Sequence, residues 1–442
     1  RSQYAGDWNN VAPRVGAAYR LTSKTVLRGA VGRFFGPSTL SAQGTVGPYG
    51  FRVETPWVAT LDNLTPLNYL RSPFPQGFRP VPGASDGLLT AIGGRVEAPL
   101  RDTTAPYVWQ WNATVQRELP WNVLIEAAYV GNRGRELSLG GEGGYTLNQL
   151  DPTTLSMGSA LNQLVPNPFY GYVPTGPLSQ PTVARGQLLR PYPQFGDVIP
   201  LFYQGARSSY DAFQMTFSRR FAGGLGFEGS YVASKSMDSG QSYQNSYDVA
   251  SVNSLSGVHV PYRVVLSGLY QLPLGRGRAI GGNFSPVVEA FLGGWQINGI
   301  WTVQAGPTLG IGASNNSGAF SQGIRANWNG ERSAIDRAAE DKLDRWFDPT
   351  PFSQPAPFTF GNAPERIPGL RAHPLNAVDL SLLKDLRTTS SVRLELRVEA
   401  FNLFNYVQFG SPNTSLNSAT LGQVTSQANS PRQIQFGIKA LW

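Results

Sequence analysis

The chain has 442 residues, of which only 14% are charged while 12% are aromatic, and 50 glycines, 34 prolines and a net charge of +8 complete its bulk profile. With no cysteine and two histidines, His259 and His373, it holds no disulfide, thiolate metal site or histidine metal cluster. No apolar run reaches the roughly 18 residues of a spanning helix, which excludes a helical membrane protein, and the Lys and Arg residues are scattered singly, so a nucleic-acid partner is not expected.

Residues 11–21 alternate Val11, Val15, Ala17 and Tyr19 with Arg14, Gly16, Ala18 and Arg20, the period of two that marks a strand. They turn at Thr22 and Ser23 into residues 24–35, whose facing is ambiguous. Residues 36–106 form a Pro- and Gly-rich stretch without sustained periodicity, longer than the connections of a soluble domain. Pairing resumes with Tyr107, Trp109, Trp111, Ala113 and Val115 on one face and Gln110, Asn112, Thr114 and Gln116 on the other. Pro120 and Trp121 make a tight turn, and residues 122–133 return with Val123, Ile125, Ala127 and Tyr129 on the apolar side. Trp109, Trp111, Trp121 and Tyr129 suit the aromatic girdles found at headgroup level in membrane barrels.

A second irregular stretch covers residues 134–208. A hairpin follows, residues 209–221 and 225–237 through a turn at 222–224. Residues 239–260 are polar, and residues 262–272 and 291–306 make the next pair through a turn carrying Arg276 and Arg278. Residues 307–375 are another long loop, inside which residues 331–346 (ERSAIDRAAEDKLDRW) have the charge spacing of a short surface helix. Residues 377–387 then pair with the next strand through residues 388–390.

The rest is organised around residues 391–405, SVRLELRVEAFNLFN, where Val392, Leu394, Leu396, Val398 and Ala400 alternate with Arg393, Glu395, Arg397 and Glu399. The apolar face is long enough to cross a bilayer at strand pitch, about 10 residues, and the charged face alternates in sign as a polar barrel lumen would. Residues 432–442 close the chain with Ile434, Phe436, Ile438, Ala440 and Trp442 on one face. The expected fold is all-β, a transmembrane antiparallel β-barrel with about eleven strands. Its connections strictly alternate short and long, as brief periplasmic turns and long extracellular loops do. An odd count cannot close a bacterial single-chain barrel, which carries an even number. The expectation is therefore that the chain lacks its beginning, in keeping with a start at Arg1 that has no signal-peptide features.

Three segments carry a family resemblance: Val378-Asp379-Leu380-Ser381 followed by Lys384, the run RVEAFNLFN at residues 397–405, and the ending PRQIQFG at residues 431–437. They resemble the C-terminal region of Oar-like TonB-dependent outer-membrane receptors. Ala12-Pro13-Arg14-Val15-Gly16, Gln110-Trp111-Asn112, Ala128-Tyr129-Val130-Gly131 and Tyr231 are similar as well. The resemblance implies that residues 1–442 are one partial barrel domain, the later half of a barrel of about 22 strands. The signal peptide, N-terminal β-sandwich domain, plug and TonB-contacting segment of complete members are not visible in this sequence. It also implies a bacterial outer-membrane location. The implied partners are outer-membrane lipid, the inner-membrane TonB complex reached through the missing N-terminal part, the barrel-assembly machinery and an unknown ligand.

Arg393, Glu395, Arg397 and Glu399 offer paired carboxylates about 7 Å apart, but the interleaved arginines favour a structural ion ladder on the lumen wall, contacting a plug. Phe436, Ile438, Ala440 and Trp442 fit either edge-strand packing or, as in outer-membrane proteins generally, an assembly signal whose last ring sits in the interface belt. Gly275-Arg276-Gly277-Arg278 resembles a phosphate loop only superficially, since such a loop must open a helix after a strand. Tyr243 and Tyr247, with Tyr170, Tyr172 and Tyr192, could stack on a ligand or simply pack their loops. Two histidines beside Pro or Val support no Ser-His-Asp set, so no enzyme and no cofactor are expected. The expected function is uptake of a large scarce solute through a TonB-dependent receptor, with an adhesion or structural protein and a passive porin-like channel as alternatives.

Overall fold

The structure is a computed structural model that describes the chain apart from residues 1–4, 37–49, 52, 54, 56, 58, 60–64, 103, 141–143, 174–175, 240–242, 250–252, 319–322, 388–392 and 442. Eleven long strands dominate it: β1 (Arg14–Thr22), β2 (Thr25–Phe35), β3 (Tyr107–Leu119), β4 (Val123–Ser138), β5 (Gln204–Ala222), β6 (Leu225–Ser239), β7 (Tyr262–Gln271), β8 (Trp295–Gln304), β9 (Leu375–Arg387), β10 (Arg393–Phe401) and β11 (Gln433–Leu441). They pair antiparallel in chain order into one sheet, a continuous meander. Among the described residues β1 and β11 each have one sheet neighbour.

Local chemistry accounts for the tight hairpins. Between β5 and β6 the two turn residues Gly223 and Gly224 have φ of 60° and 84°, the mirror-image backbone that matches strand twist and that glycine adopts without strain. Between β3 and β4, Trp121 and Asn122 turn with φ of 63° and 61°, and Trp121 projects outward, exposed.

Register turns the period-two pattern into two continuous faces. Tyr129 stands opposite Ala113 and Phe213, Gly229 opposite Leu266, Leu266 opposite Trp301, and Trp301 opposite Val378. Leu380 stands opposite Ala400, which faces Ile434 on its other side. The ambiguous β2 is resolved the same way: Leu27, Gly29 and Val31 join the apolar face opposite Val115, Ala113 and Trp111.

Among the described residues, no protein layer covers that apolar face. Phe436 is 76% and Ile438 78% exposed, and Leu396 and Val398 remain 36% and 37% exposed. The buried core lies in the loops. Phe347, Ile367 and Leu370 centre one cluster, built from the β8–β9 loop with Phe409, Leu416 and Leu421 of the β10–β11 loop. A soluble sheet must bury its apolar face against another layer, whereas an apolar surface this extensive marks a membrane or partner contact.

Three expectations change. Residues 331–346 are not a helix: only Glu340–Lys342 make a 3-10 turn, because the chain doubles back so that Asp348 N–H donates to Ser333 O at 2.7 Å and Trp346 and Phe347 are buried in the loop core. The Arg332–Asp336 ion pair forms at 3.3 Å without a helix, and so short a helix gains little without tertiary packing. The β7–β8 connection, residues 272–294, is not a tight turn. It contains the seven-residue helix Pro286–Leu292, capped by Ser285 through Val288 N–H at 3.3 Å, so Phe291 is helical and the strict short–long alternation breaks there. Finally, β4, β5 and β6 run further into the irregular stretches than the alternation indicated, to Ser138, from Gln204 and to Ser239.

Candidate ligand-binding surface

On the polar face, register sets Glu395, Arg397 and Glu399 of β10 between Asp385, Leu383 and Ser381 of β9 and Lys439, Gly437 and Gln435 of β11. Arg397 Nε donates to the Glu395 carboxylate, and Ser381 Oγ donates to Glu399 Oε1 at 3.4 Å. The arginine thus engages the neighbouring carboxylate instead of leaving an acid–base pair. For Arg393 the structure describes the backbone, paired with Arg387 and Leu441. The row continues onto β8, where Gln296 Nε2 donates to Asn298 Oδ1 at 3.0 Å, and Asn298 stands opposite Ser381. Lys439 belongs to this row and was missed; its alternation with Ile438 and Ala440 was the available signal.

Phe436, Ile438 and Ala440 lie on the opposite, apolar face, across from Val398, Leu396 and Leu394. Trp442 and Val392 lie outside the described residues.

The long loops are folded. Tyr145 stacks on Tyr203 with centroids 4.5 Å apart and meets Tyr243 at 5.4 Å. The Tyr243 hydroxyl donates to Gly144 O at 2.6 Å and accepts from Thr146 N–H at 2.8 Å, and Tyr145 donates to Ser246 O at 3.0 Å. Burial pushes both phenols up to about 12. The side chain of Gln149 accepts from Ser246 N–H at 2.6 Å, so the β4–β5 and β6–β7 loops are clamped together. Tyr243 is therefore a buried packing post, while Tyr170, Tyr172, Tyr192 and Tyr247 remain exposed.

Beside this clamp is a cavity of about 440 Å³ lined by Asn245, Asp248, Asn253, Arg325 and Asn362. Arg325 N–H donates to Gln244 Oε1 at 3.1 Å, while its side-chain Nε is buried with no hydrogen-bond partner among the described residues. Burial draws the guanidinium below its ordinary range, with Glu365 and Asp248 opposing that shift. Burial likewise raises Glu365, against the pull of Arg366 at 3.8 Å. Amides, a carboxylate and a half-desolvated guanidinium around one cavity suit a polar ligand with anionic groups. These residues were not singled out from sequence, because they sit in aperiodic loops.

The remaining candidates are structural. Arg276 N–H donates to Glu289 Oε2 at 2.8 Å and Arg278 to Gln271 Oε1 at 3.0 Å, so the Gly-Arg-Gly-Arg segment is tied to its own loop and to the end of β7. His259 Nδ1 accepts from Ser236 N–H at 3.3 Å, and His373 lies edge-on to Trp346 and Phe409 at 5.9 and 5.1 Å. Burial lowers both imidazoles.

Comparison with known proteins places this arrangement. The family model for the outer membrane beta barrel domain matches residues 1–435. Among solved structures, the chain is similar to the outer membrane transporter YddB from Escherichia coli, with a TM-score of 0.45 at 9% identity over 98% of this chain and 40% of that one. It is also similar to the pyoverdine outer membrane receptor FpvA from Pseudomonas aeruginosa PAO1, with a TM-score of 0.40 at 11% identity over 97% and 36%. A third is the ferric-catecholate import receptor Fiu from Escherichia coli K12, with a TM-score of 0.41 at 9% identity over 97% and 34%. The chain spans less than half the length of each. No protein of curated function matches it.

Proposed function

This chain belongs to the outer membrane beta barrel domain family, and from that membership we propose that it is part of the wall and the ligand-capturing loops of a TonB-dependent receptor of the Oar-like kind. The apolar face meets lipid in the bacterial outer membrane, and the polar face with Glu395, Arg397, Glu399 and Arg393 lines a lumen and holds a plug. The eleven strands supply about half of a barrel of about 22. The long loops lie outside the cell, where the Arg325 cavity and the exposed tyrosines take up a large, polar, scarce solute. Energy for its release inward comes from the TonB complex of the inner membrane. Phe436, Ile438, Ala440 and Trp442 present the assembly signal.

One observation carries this reading: the exposed apolar wall ends at a loop layer that is folded and encloses a polar cavity. A passive pore needs no such layer. The test compares solute depletion from the medium by cells with and without the gene, each with and without a protonophore. A receptor gives at least one solute whose uptake requires both the gene and the proton gradient. Gene-dependent uptake indifferent to the protonophore indicates a passive channel. Unchanged uptake with lost surface attachment on loop deletion indicates an adhesin.

A further inference from the structure

Towards the long-loop end of the wall the apolar face turns basic. One row across the sheet reads Val31, Trp111, Gly131, Asp211, Lys235, and the next reads Arg33, Trp109, Arg133, Ser209, Met237. Beyond it, Phe35 stands opposite Tyr107, which stands opposite Arg135, and Arg207 stands opposite Ser239. Five cations share this part of the face with a single carboxylate, Asp211, which is already engaged by the Tyr129 hydroxyl at 2.6 Å and by Arg133 at 3.0 Å.

The cations are positioned by aromatic rings. The Arg33 guanidinium sits 3.9 Å from the Tyr107 centroid and 4.3 Å from that of Phe35, and Arg133 sits 5.1 Å from the Trp111 ring. Gly131 gives that indole its space, since a Cβ there would fall 2.5 Å from the ring. Arg133 and Arg135 also donate to the backbone carbonyls of Asn132 and Gly134 at 2.7 and 2.8 Å, which fixes their forks. Between Arg133, Arg135, Arg207, Ser209, Met237 and Ser239, which share this face, lies a cavity of about 240 Å³.

We infer that this cavity binds the phosphate of a phosphorylated lipid headgroup in the outer leaflet. Guanidinium forks flanked by hydroxyls match phosphate oxygens, and rings at this height mark the headgroup level. The register settles the source. The arginines share the face that carries Tyr129, Phe213 and Tyr231, so their ligand reaches them from the bilayer, in continuity with the lipid contact and not through the loops. The assignment to the outer leaflet rests on the proposed orientation, with the long loops outside.

The test uses the full-length gene product purified in mild detergent from outer membranes, with lipid phosphorus measured per chain before and after washing with inorganic phosphate. Arg135→Gln/Arg207→Gln removes two charges without touching the Asp211 cluster. It should weaken lipid retention on the order of tenfold or more, the factor of one lost charge-assisted hydrogen bond. Arg28→Gln/Arg263→Gln removes the same charge from the opposite face and should change nothing. Equal retention in all three overturns the site. Phosphorus that washes out of the wild type with inorganic phosphate shows a free-anion site and overturns the lipid assignment. Tyr172→Cys labelled by an impermeant reagent, compared with the unsubstituted protein, reports the loops. Labelling in intact cells upholds the orientation, and labelling only after permeabilisation overturns both the orientation and the outer-leaflet assignment.

Discussion

The ammonium of Lys384 lies 5.2 Å from the ring centroid of Trp295 and donates to the carbonyl of Gly293. Both residues occupy the apolar face, opposite one another across β8 and β9. Trp295 in turn donates its indole N–H to Phe291 O at 2.8 Å. A buried cation on a lipid-facing wall is tolerable here because it sits at the short-turn end, where a long side chain reaches the headgroup boundary and finds a carbonyl and a ring face.

Lys384→Met should therefore lower stability by about 1.5–3 kcal/mol, the range for a hydrogen bond to a charged group. Urea unfolding in lipid vesicles, with Trp295→Leu and the double variant, closes a cycle. A coupling of about 0.5–2 kcal/mol is expected for the cation–π pair, and none means that ring and ammonium act independently.

The facing of β10 is tested by a pair of neighbours. Leu396→Arg puts a charge among lipid chains and should cost about 2–4 kcal/mol near the midplane. Arg397→Leu loses a partly exposed ion pair with Glu395, worth about 0–1 kcal/mol. Heat-modifiable gel mobility and vesicle refolding read both, and equal effects contradict the assignment of faces.

Assembly should depend on the end of the chain. Deleting Trp442, or replacing the exposed Phe436 by Ser, should lower the fraction inserted into outer membranes while total expression stays level. Unimpaired insertion removes the assembly role.

Alkaline pH should open the loop clamp before the wall. Tyr145 and Tyr243 are raised from 10.0 to about 12 in the folded state. In that interval the folded loops hold protons that unfolded ones release, so their stabilisation is complete below pH 10.0 and is lost as pH rises towards about 12. Protease cleavage within the β4–β5 loop should increase across this range while the barrel stays heat-modifiable. Tyr243→Phe should start from a less protected loop, since Thr146 N–H loses its acceptor, and show a shallower pH response. An identical response places the titration elsewhere.

A strand's facing is a local matter: side chains alternate whatever the partner, so Val392 to Ala400 against Arg393 to Glu399 carried the wall, and the count of eleven strands was readable from the residues alone, while the face of β2 was settled only by its register against β3. The loops were not, because their order comes from contacts between distant segments. Nothing near Tyr243 separates it from Tyr247, yet one is buried by Gly144 and Tyr145 from another loop while the other is exposed. The charge spacing of residues 331–346 indicated a helix, and the burial of Trp346 and Phe347 against Ile367 overrode it. Arg133 could be placed on the apolar face from sequence by parity, whereas Arg135 lay in a stretch that reads as irregular and joins that face only because β4 runs on to Ser138. Only the register across five strands brings Arg33, Arg207 and Lys235 alongside them, since which residues of separate strands stand side by side is set by hydrogen-bonded pairing over the whole sheet.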